Sequence, residues 1–218
     1  MSNYQQQFVQ LAIARQALRF GEFKLKSGRV SPYFFNAGLF NDGESLARLG
    51  QCYAAALTNA GVAFDMLYGP AYKGIPLVAT TAIALALEQA RNVPWAFNRK
   101  EAKDHGEAGL IVGAPLKGRV VIIDDVITAG TAIRESIELI RGAGATPVAV
   151  ALARDRQERG QGSQSAVQEV ESVYGLRCVS ILTLAELIAT LEAGGVQQYD
   201  PATVAAMRQY RQQYGIAS

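Results

Sequence analysis

Between Val120 and Ile140 the chain reads VVIIDDVITAGTAIRESIELI, a stretch that restricts the fold more than any other. Its four consecutive β-branched residues, Val120 to Ile123, specify a strand buried on both faces, as strands of parallel sheets are. Asp124 and Asp125 follow at the carboxyl end, and a turn of small residues leads into an amphipathic helix. A buried parallel strand needs further βα units beside it, and open sheets of that kind bind ligands outside the carboxyl ends of their strands. In the turn, Thr128, Ala129, Gly130 and Thr131 can aim successive backbone N–H groups at one point. Gly130 permits close approach, and the helix amino terminus adds positive potential, which together suit a phosphate monoester. The stretch contains neither GxxxxGK[ST] nor GxGxxG, which disfavours a nucleoside triphosphate or a dinucleotide. As acceptors, Asp124 and Asp125 suit sugar hydroxyls or a cation, so the combination reads as a site for a ribose phosphate. Taken singly, the aspartates could merely end a strand and Thr128 could merely cap a helix.

The rest of the chain has the matching rhythm. A helix is expected around Glu44 to Asn59, a strand at FDMLYGP, a helix from Ile75 to Ala90 and a strand at PWAFNR. After the strand RVVIIDDV the spacing predicts a helix from Thr131 to Arg141, a strand PVAVALARD, a helix near Ser165 to Tyr174, a strand CVSIL, and helices from Leu184 and from Pro201. Repeated βα units predict an α/β fold with a mostly parallel central sheet flanked by helices. Ahead of them, Phe8, Leu11, Ile13, Leu18 and Phe20 fall at near-helical spacing, so an opening helix from Tyr4 to Phe20 is expected, ended by Gly21. GEFKLKSG and SPYFFNAG alternate like two strands of a small flap. The polar connection Arg99 to Pro115 is too long to be idle and suggests a lid, and RQERGQGSQSA reads as a mobile loop.

Composition narrows the partners. Half of the 218 residues are hydrophobic and 18% charged, a globular balance that excludes disorder and fibrous repeats. A formal charge of +2, with no lysine or arginine block, argues against a nucleic-acid partner. No membrane partner is expected either, because the longest apolar run, Val78 to Leu87, holds two threonines and falls short of a span of ~18 to 20 residues. The opening MSNYQQQFVQLAIARQ lacks a signal-peptide core, and Cys52 and Cys178 have no metal-type spacing, so reduced structural thiols in the cytoplasm are expected.

The Val120–Ile140 string resembles the motif with which type I phosphoribosyltransferases bind phosphoribosyl pyrophosphate (PRPP). KLKSGRVSPYFFNAG, GPAYKGIP, FNRKEAKDHGE and RDRQERG resemble, in order and spacing, segments of bacterial orotate phosphoribosyltransferases, and the similarity covers nearly the whole chain. The resemblance implies the type I phosphoribosyltransferase fold, with a core of about residues 41–182 and a small hood from about 1–40 plus part of the C-terminal region. It also implies transfer of the phosphoribosyl group from PRPP to orotate, giving orotidine 5′-phosphate and pyrophosphate. For PRPP it implies Asp124 and Asp125 on the ribose hydroxyls, with Val126, Ile127, Thr128, Ala129, Gly130, Thr131 and Ala132 around the 5′-phosphate. Tyr72 and Lys73 belong to a pyrophosphate loop with a non-proline cis peptide before the tyrosine. Arg99, Lys100, Lys103 and His105 form a catalytic loop over the pyrophosphate, part of it donated by the partner in a homodimer. Lys26 lies near pyrophosphate and orotate, and Phe34 and Phe35 (through their backbone), Thr128 and Arg156 complete the orotate pocket. The catalytic set so implied is Lys73, Lys103, His105, Asp124 and Asp125, with Mg2+ as cofactor, held mainly by substrate and in part by Asp124 and Asp125.

The residues themselves are consistent with that implication. Orotate is a planar anion with a carboxylate, which suits the Arg156 guanidinium and main-chain N–H groups, whereas uracil would need neither. The stretch RKEAKDHGE has three acidic and three basic residues and the chain's only histidine, with almost no apolar surface to hold it down. Two alternatives stay open: a transferase for a purine or uracil, and a PRPP-sensing regulator that binds nucleic acid. The near-neutral charge and the lack of a helix-turn-helix extension weigh against the second.

Overall fold

The computed structural model describes residues 2–25, 27–103, 109–127, 130–160, 162–194 and 200–216, excepting the side chains of 102 and 103. A helix α1 (Asn3–Ala14) precedes an antiparallel pair, β1 (Leu18–Lys24) and β2 (Val30–Phe35). Then come α2 (Gly43–Asn59), β3 (Met66–Gly69), α3 (Gly74–Gln89), β4 (Trp95–Lys103) and β5 (Gly109–Gly113). The chain continues through β6 (Arg119–Asp124), α4 (Thr131–Gly142), β7 (Thr146–Asp155), α5 (Ala166–Tyr174), β8 (Arg177–Thr183), α6 (Leu184–Glu192) and α7 (Pro201–Tyr214). Six strands form one sheet in the order β5-β4-β3-β6-β7-β8, parallel except for β5.

Strand alternation divides the core into two layers. Val121 and Ile123 of β6 face the cluster containing Leu49 and Tyr53 of α2, Leu77 and Val78 of α3, and residues of α1, α6 and α7. Val120 and Ile122 face Ile133, Ile137 and Ile140 of α4 and Val170 of α5. All four strand residues are fully buried, each contributing about 1.5 to 3 kcal/mol of hydrophobic stabilisation. Side-chain caps start the helices: Asp42 accepts from the Ser45 N–H at 2.8 Å, and Thr183 from the Glu186 N–H at 3.2 Å. Where α2 crosses α3, Gly50 lies against the backbone of Thr80, leaving no room for a Cβ.

Three expectations are corrected. The opening helix stops at Ala14, because Gln16 adopts a left-handed φ of 56° and Leu18 and Phe20 then pair with Phe35 and Tyr33. Those apolar residues match helical spacing but are claimed by the strand partner. The Arg99–Pro115 connection holds two strands: β4 continues to Lys103, and β5 returns against it with Phe97 opposite Val112 and Asn98 opposite Ile111, while residues 104–108 lie outside the described residues. Finally, the segment after Arg156 is tied down, since Glu158 bridges to Gly215, the Arg159 N–H donates to the Tyr214 carbonyl at 2.9 Å, and Ile216 N–H to Gln157 O at 2.9 Å.

Candidate active site

The strand order fixes where a site can be. From β3 the chain crosses to β4 on one side, while β6, β7 and β8 run off on the other, so a crevice opens above the carboxyl ends of β3 and β6. The turn after β3 and the aspartates ending β6 meet there, although they lie far apart in sequence.

The turn Gly69–Gly74 is packed hard against the sheet. A Cβ on Gly74 would come within 2.6 Å of Pro70 Cδ and 2.9 Å of the Ile123 carbonyl, so only glycine allows this approach. Ala71 donates its N–H to Asn98 Oδ1 of β4 at 2.9 Å, and the Ala71–Tyr72 peptide is cis, as the family resemblance implies. Tyr72 is exposed, with the Lys100 ammonium 5.4 Å from its ring centre. Lys73 Nζ donates to Asp125 Oδ2 at 2.7 Å, the one ion pair that joins this turn to the acidic pair.

Asp124 and Asp125 are both buried. Each Oδ1 accepts a backbone N–H: Asp124 from Asp125 at 2.9 Å, Asp125 from Val126 at 2.8 Å. The Tyr53 hydroxyl donates to the Asp124 carbonyl at 2.7 Å, and the Asp125 carbonyl accepts from Ala153 and Arg154 of β7. Burial first, then the Asp125 charge, push the Asp124 carboxyl up to about 7. Two carboxylates with, among the described residues, one lysine against them offer hard oxygen donors, a chemistry that fits Mg2+ beside substrate oxygens. Gly130 stands at the head of α4 with a left-handed φ of 70°, and Thr131 Oγ1 accepts from Arg134 at 3.2 Å. Ile127 packs against the α4 layer, and the Ala132 carbonyl accepts the Ser136 hydroxyl at 2.6 Å.

On the other side of Asp125, β7 ends near the β1–β2 pair. Phe34 stacks on Phe23 with centroids 5.5 Å apart, and Phe35 packs with Phe8 and Phe40, so both side chains serve packing, as expected. Arg156 gives Nε and Nη2 to Glu158 Oε1 at 2.9 and 2.7 Å, and the Tyr33 hydroxyl donates to the same oxygen at 3.0 Å. Neither Tyr33 nor Glu158 was singled out from the sequence, although both lie in segments that carry the resemblance. Asn98 and Tyr53 were missed too, since an amide in a strand and a buried tyrosine carry no signal of their own.

Arg99 lies on β4 and donates to the Gly109 carbonyl at 3.2 Å. Lys103 closes β4, with its side chain outside the description. Lys26, His105, Thr128 and Ala129 lie outside the described residues altogether. Cys52 and Cys178 are free thiols, each pushed up to about 12 mainly by burial, as suits structural cysteines. None of the described helices is long and apolar enough to cross a membrane.

Residues 41–174 match the family model of the phosphoribosyl transferase domain. The orotate phosphoribosyltransferase of Thioalkalivibrio sulfidiphilus is 61% identical over 99% of this chain and 100% of its own length. That of Cronobacter sakazakii is 59% identical with the same coverage. Among solved structures, the orotate phosphoribosyltransferase of Francisella tularensis superposes with a TM-score of 0.86 at 40% identity, covering 95% of this chain and 98% of that one. Domain match, full-length identity and superposition agree with the crevice geometry, and the chain belongs to the orotate phosphoribosyltransferases within the phosphoribosyl transferase domain family.

Proposed function

We propose that the crevice above β3 and β6 holds PRPP across the Lys73–Asp125 pair, with orotate at the end of β7, and that this chain performs the reaction of its family there. The contact that carries the reading is Lys73 Nζ on Asp125 Oδ2 at 2.7 Å, which brings a cation for pyrophosphate beside an acceptor for ribose hydroxyls. The 5′-phosphate lies on the N–H groups of the Val126–Ala132 turn at the head of α4. Transfer is substitution at ribose C1 with inversion: pyrophosphate leaves, the ring gains oxocarbenium character, and orotate N1 attacks the opposite face. No side-chain nucleophile is needed, so the protein's tasks are positioning and stabilising charge on the leaving group. Lys73, Lys103 and His105 neutralise that charge, while Asp124 and Asp125 hold the ribose. Mg2+, when bound with PRPP, supplies Lewis-acid stabilisation of the same charge. The β4–β5 ribbon, with Arg99 and Lys100 on it, lies beside the pyrophosphate turn and carries the segment that excludes water. The β1–β2 pair with α7 forms the hood on the base side.

On the base side, Arg156 and backbone groups of Phe34 and Phe35 receive orotate, with Lys26 between the two substrates. Arg156→Ala should weaken orotate by about 10- to 100-fold and PRPP by little, because only the partner of the orotate anion is lost. Steady-state kinetics with each substrate varied in turn measure this, and equal weakening of both would remove Arg156 from the pocket.

A homodimer sharing its loops is proposed from the family and from an apolar face: Ile83 and Leu87, one turn apart on α3, are 58% and 80% exposed beside Leu46, Ala47 and Pro76. If Lys103 acts in the partner's site, mixing Lys103→Ala with Asp125→Asn rebuilds one intact site in each mixed dimer. After random subunit exchange of equal amounts, activity should approach roughly a quarter of wild type in a closed two-fold dimer. No gain after confirmed exchange would place Lys103 in its own subunit's site.

A further inference from the structure

Around Glu158 the donors outnumber the acceptors. Its Oε1 already takes three hydrogen bonds, two from Arg156 and one from Tyr33, and Arg29 Nη1 stands 3.7 Å from Oε2. Beneath Tyr33 lies Arg154, near the carboxyl end of β7, almost wholly buried, its guanidinium carbon 4.0 Å from the tyrosine ring centre. Among the described residues, none of its three side-chain nitrogens has a hydrogen-bond partner, and neither has the buried hydroxyl of Tyr210, whose ring meets Tyr33 edge-on at 6.1 Å. The neighbouring Asp155 gives it no hydrogen bond; its Oδ1 accepts from the Gln157 N–H at 2.8 Å. Stacking on an aromatic face offsets only part of the cost of burying a charge, and a cation left without acceptors at this depth destabilises the fold. Burial pushes the Arg154 guanidinium below its ordinary value, yet arginine keeps its proton. The chain thus retains, two residues from Arg156, the residue assigned to the orotate carboxylate, a buried positive charge with no hydrogen-bond partner among the described residues.

We propose that Arg154 is a positioning residue for the anionic base: its charge stabilises Glu158 when orotate draws the Arg156 guanidinium away. In the structure Arg156 is engaged by Glu158, so a carboxylate ligand must compete for it. A half-buried Glu158 left alone would hold Arg156 back. Arg154 below the Tyr33 ring, with the Tyr33 hydroxyl as the link to Glu158, leaves that carboxylate a partner when Arg156 is drawn away. The cluster of Arg29, Arg154 and Arg156 around Glu158 and Asp155 has one more cation than carboxylate, an excess for an anionic base that replacing Arg154 with a neutral residue removes.

This inference rests on the placement of orotate at Arg156, so both are tested together. Arg154→Met keeps an unbranched apolar stem at this position and removes the guanidinium and its charge. The KM for orotate should rise by about tenfold or more, that for PRPP should stay within about twofold, and the midpoint of thermal unfolding should hold or increase because a lone buried charge is gone. A KM for orotate equal to wild type, or a parallel rise in both KM values, overturns the proposal and leaves Arg154 a packing residue of Tyr33. Should Arg154→Met fail to fold, Tyr33→Phe decides, since it keeps the ring on Arg154 but cuts the hydroxyl link to Glu158. A selective rise in the orotate KM upholds the proposal, and an unchanged or unselective response overturns it. Arg156→Ala, measured alongside, separates the two levels: if it weakens orotate and Arg154→Met does not, only the positioning role falls, whereas if Arg156→Ala also spares orotate, the placement of the base falls with it.

Discussion

Asp125→Asn is expected to lower turnover by ~10²- to 10³-fold, the usual cost of losing one preorganised charged partner at a reacting centre, while the protein still folds. The substitution keeps the size of the side chain and an oxygen for the Val126 N–H, so the local turn survives. Removed is the charge that fixes Lys73 at 2.7 Å and to which the proposed function gives the ribose hydroxyls or a cation. Lys73 is 62% exposed, and water takes over its solvation once the carboxylate is gone, which limits the loss of stability. Circular dichroism and single-turnover kinetics on the same preparation distinguish the effects. An unfolded Asp125→Asn protein would show that the buried acidic pair serves the fold first.

Lys103→Ala should reduce turnover by a similar ~10²- to 10³-fold, because a donor to charge developing on pyrophosphate acts in the transition state. PRPP binding should change much less. The residue closes β4 at the end of the ribbon, which lies beside the turn that carries Tyr72 and Lys73. A variant with normal kcat and only a raised KM would mean that Lys103 binds ground state and transition state alike.

The parts of this fold legible in the sequence are those in which local pattern and tertiary demand agree. Val120 to Ile123 read as a doubly buried strand and are buried on both faces, and the aspartates after them stand at the ligand end of the sheet. The same logic placed α2, α3, α4, β3 and β6 to within a few residues. It failed where one pattern fits two structures. Leu18 and Phe20 suit a helix by spacing, but the left-handed turn at Gln16 and the pairing with β2 put them in a strand. The polar residues after Arg99 looked unable to form regular structure, yet Leu110, Ile111 and Val112 provide an antiparallel partner that extends β4.

In the site, sequence signals named the residues but not the pairs. Lys73 and Asp125 stand out only as members of separate motifs, and the crossover between β3 and β6 makes them neighbours. Arg154 lies in a string, PVAVALARD, that reads as an ordinary buried strand with a charged end. Burial without partners is a property of the packed state, and strand periodicity carries no trace of it.

The central claim, that this site joins orotate to the phosphoribosyl group of PRPP, is tested most directly by following orotate absorbance with the purified chain, PRPP and Mg2+, with uracil and purine bases in parallel. The account predicts consumption of orotate that requires both PRPP and Mg2+ and releases one pyrophosphate for each orotate lost, with the other bases left untouched. Turnover of uracil or a purine in preference to orotate would contradict it.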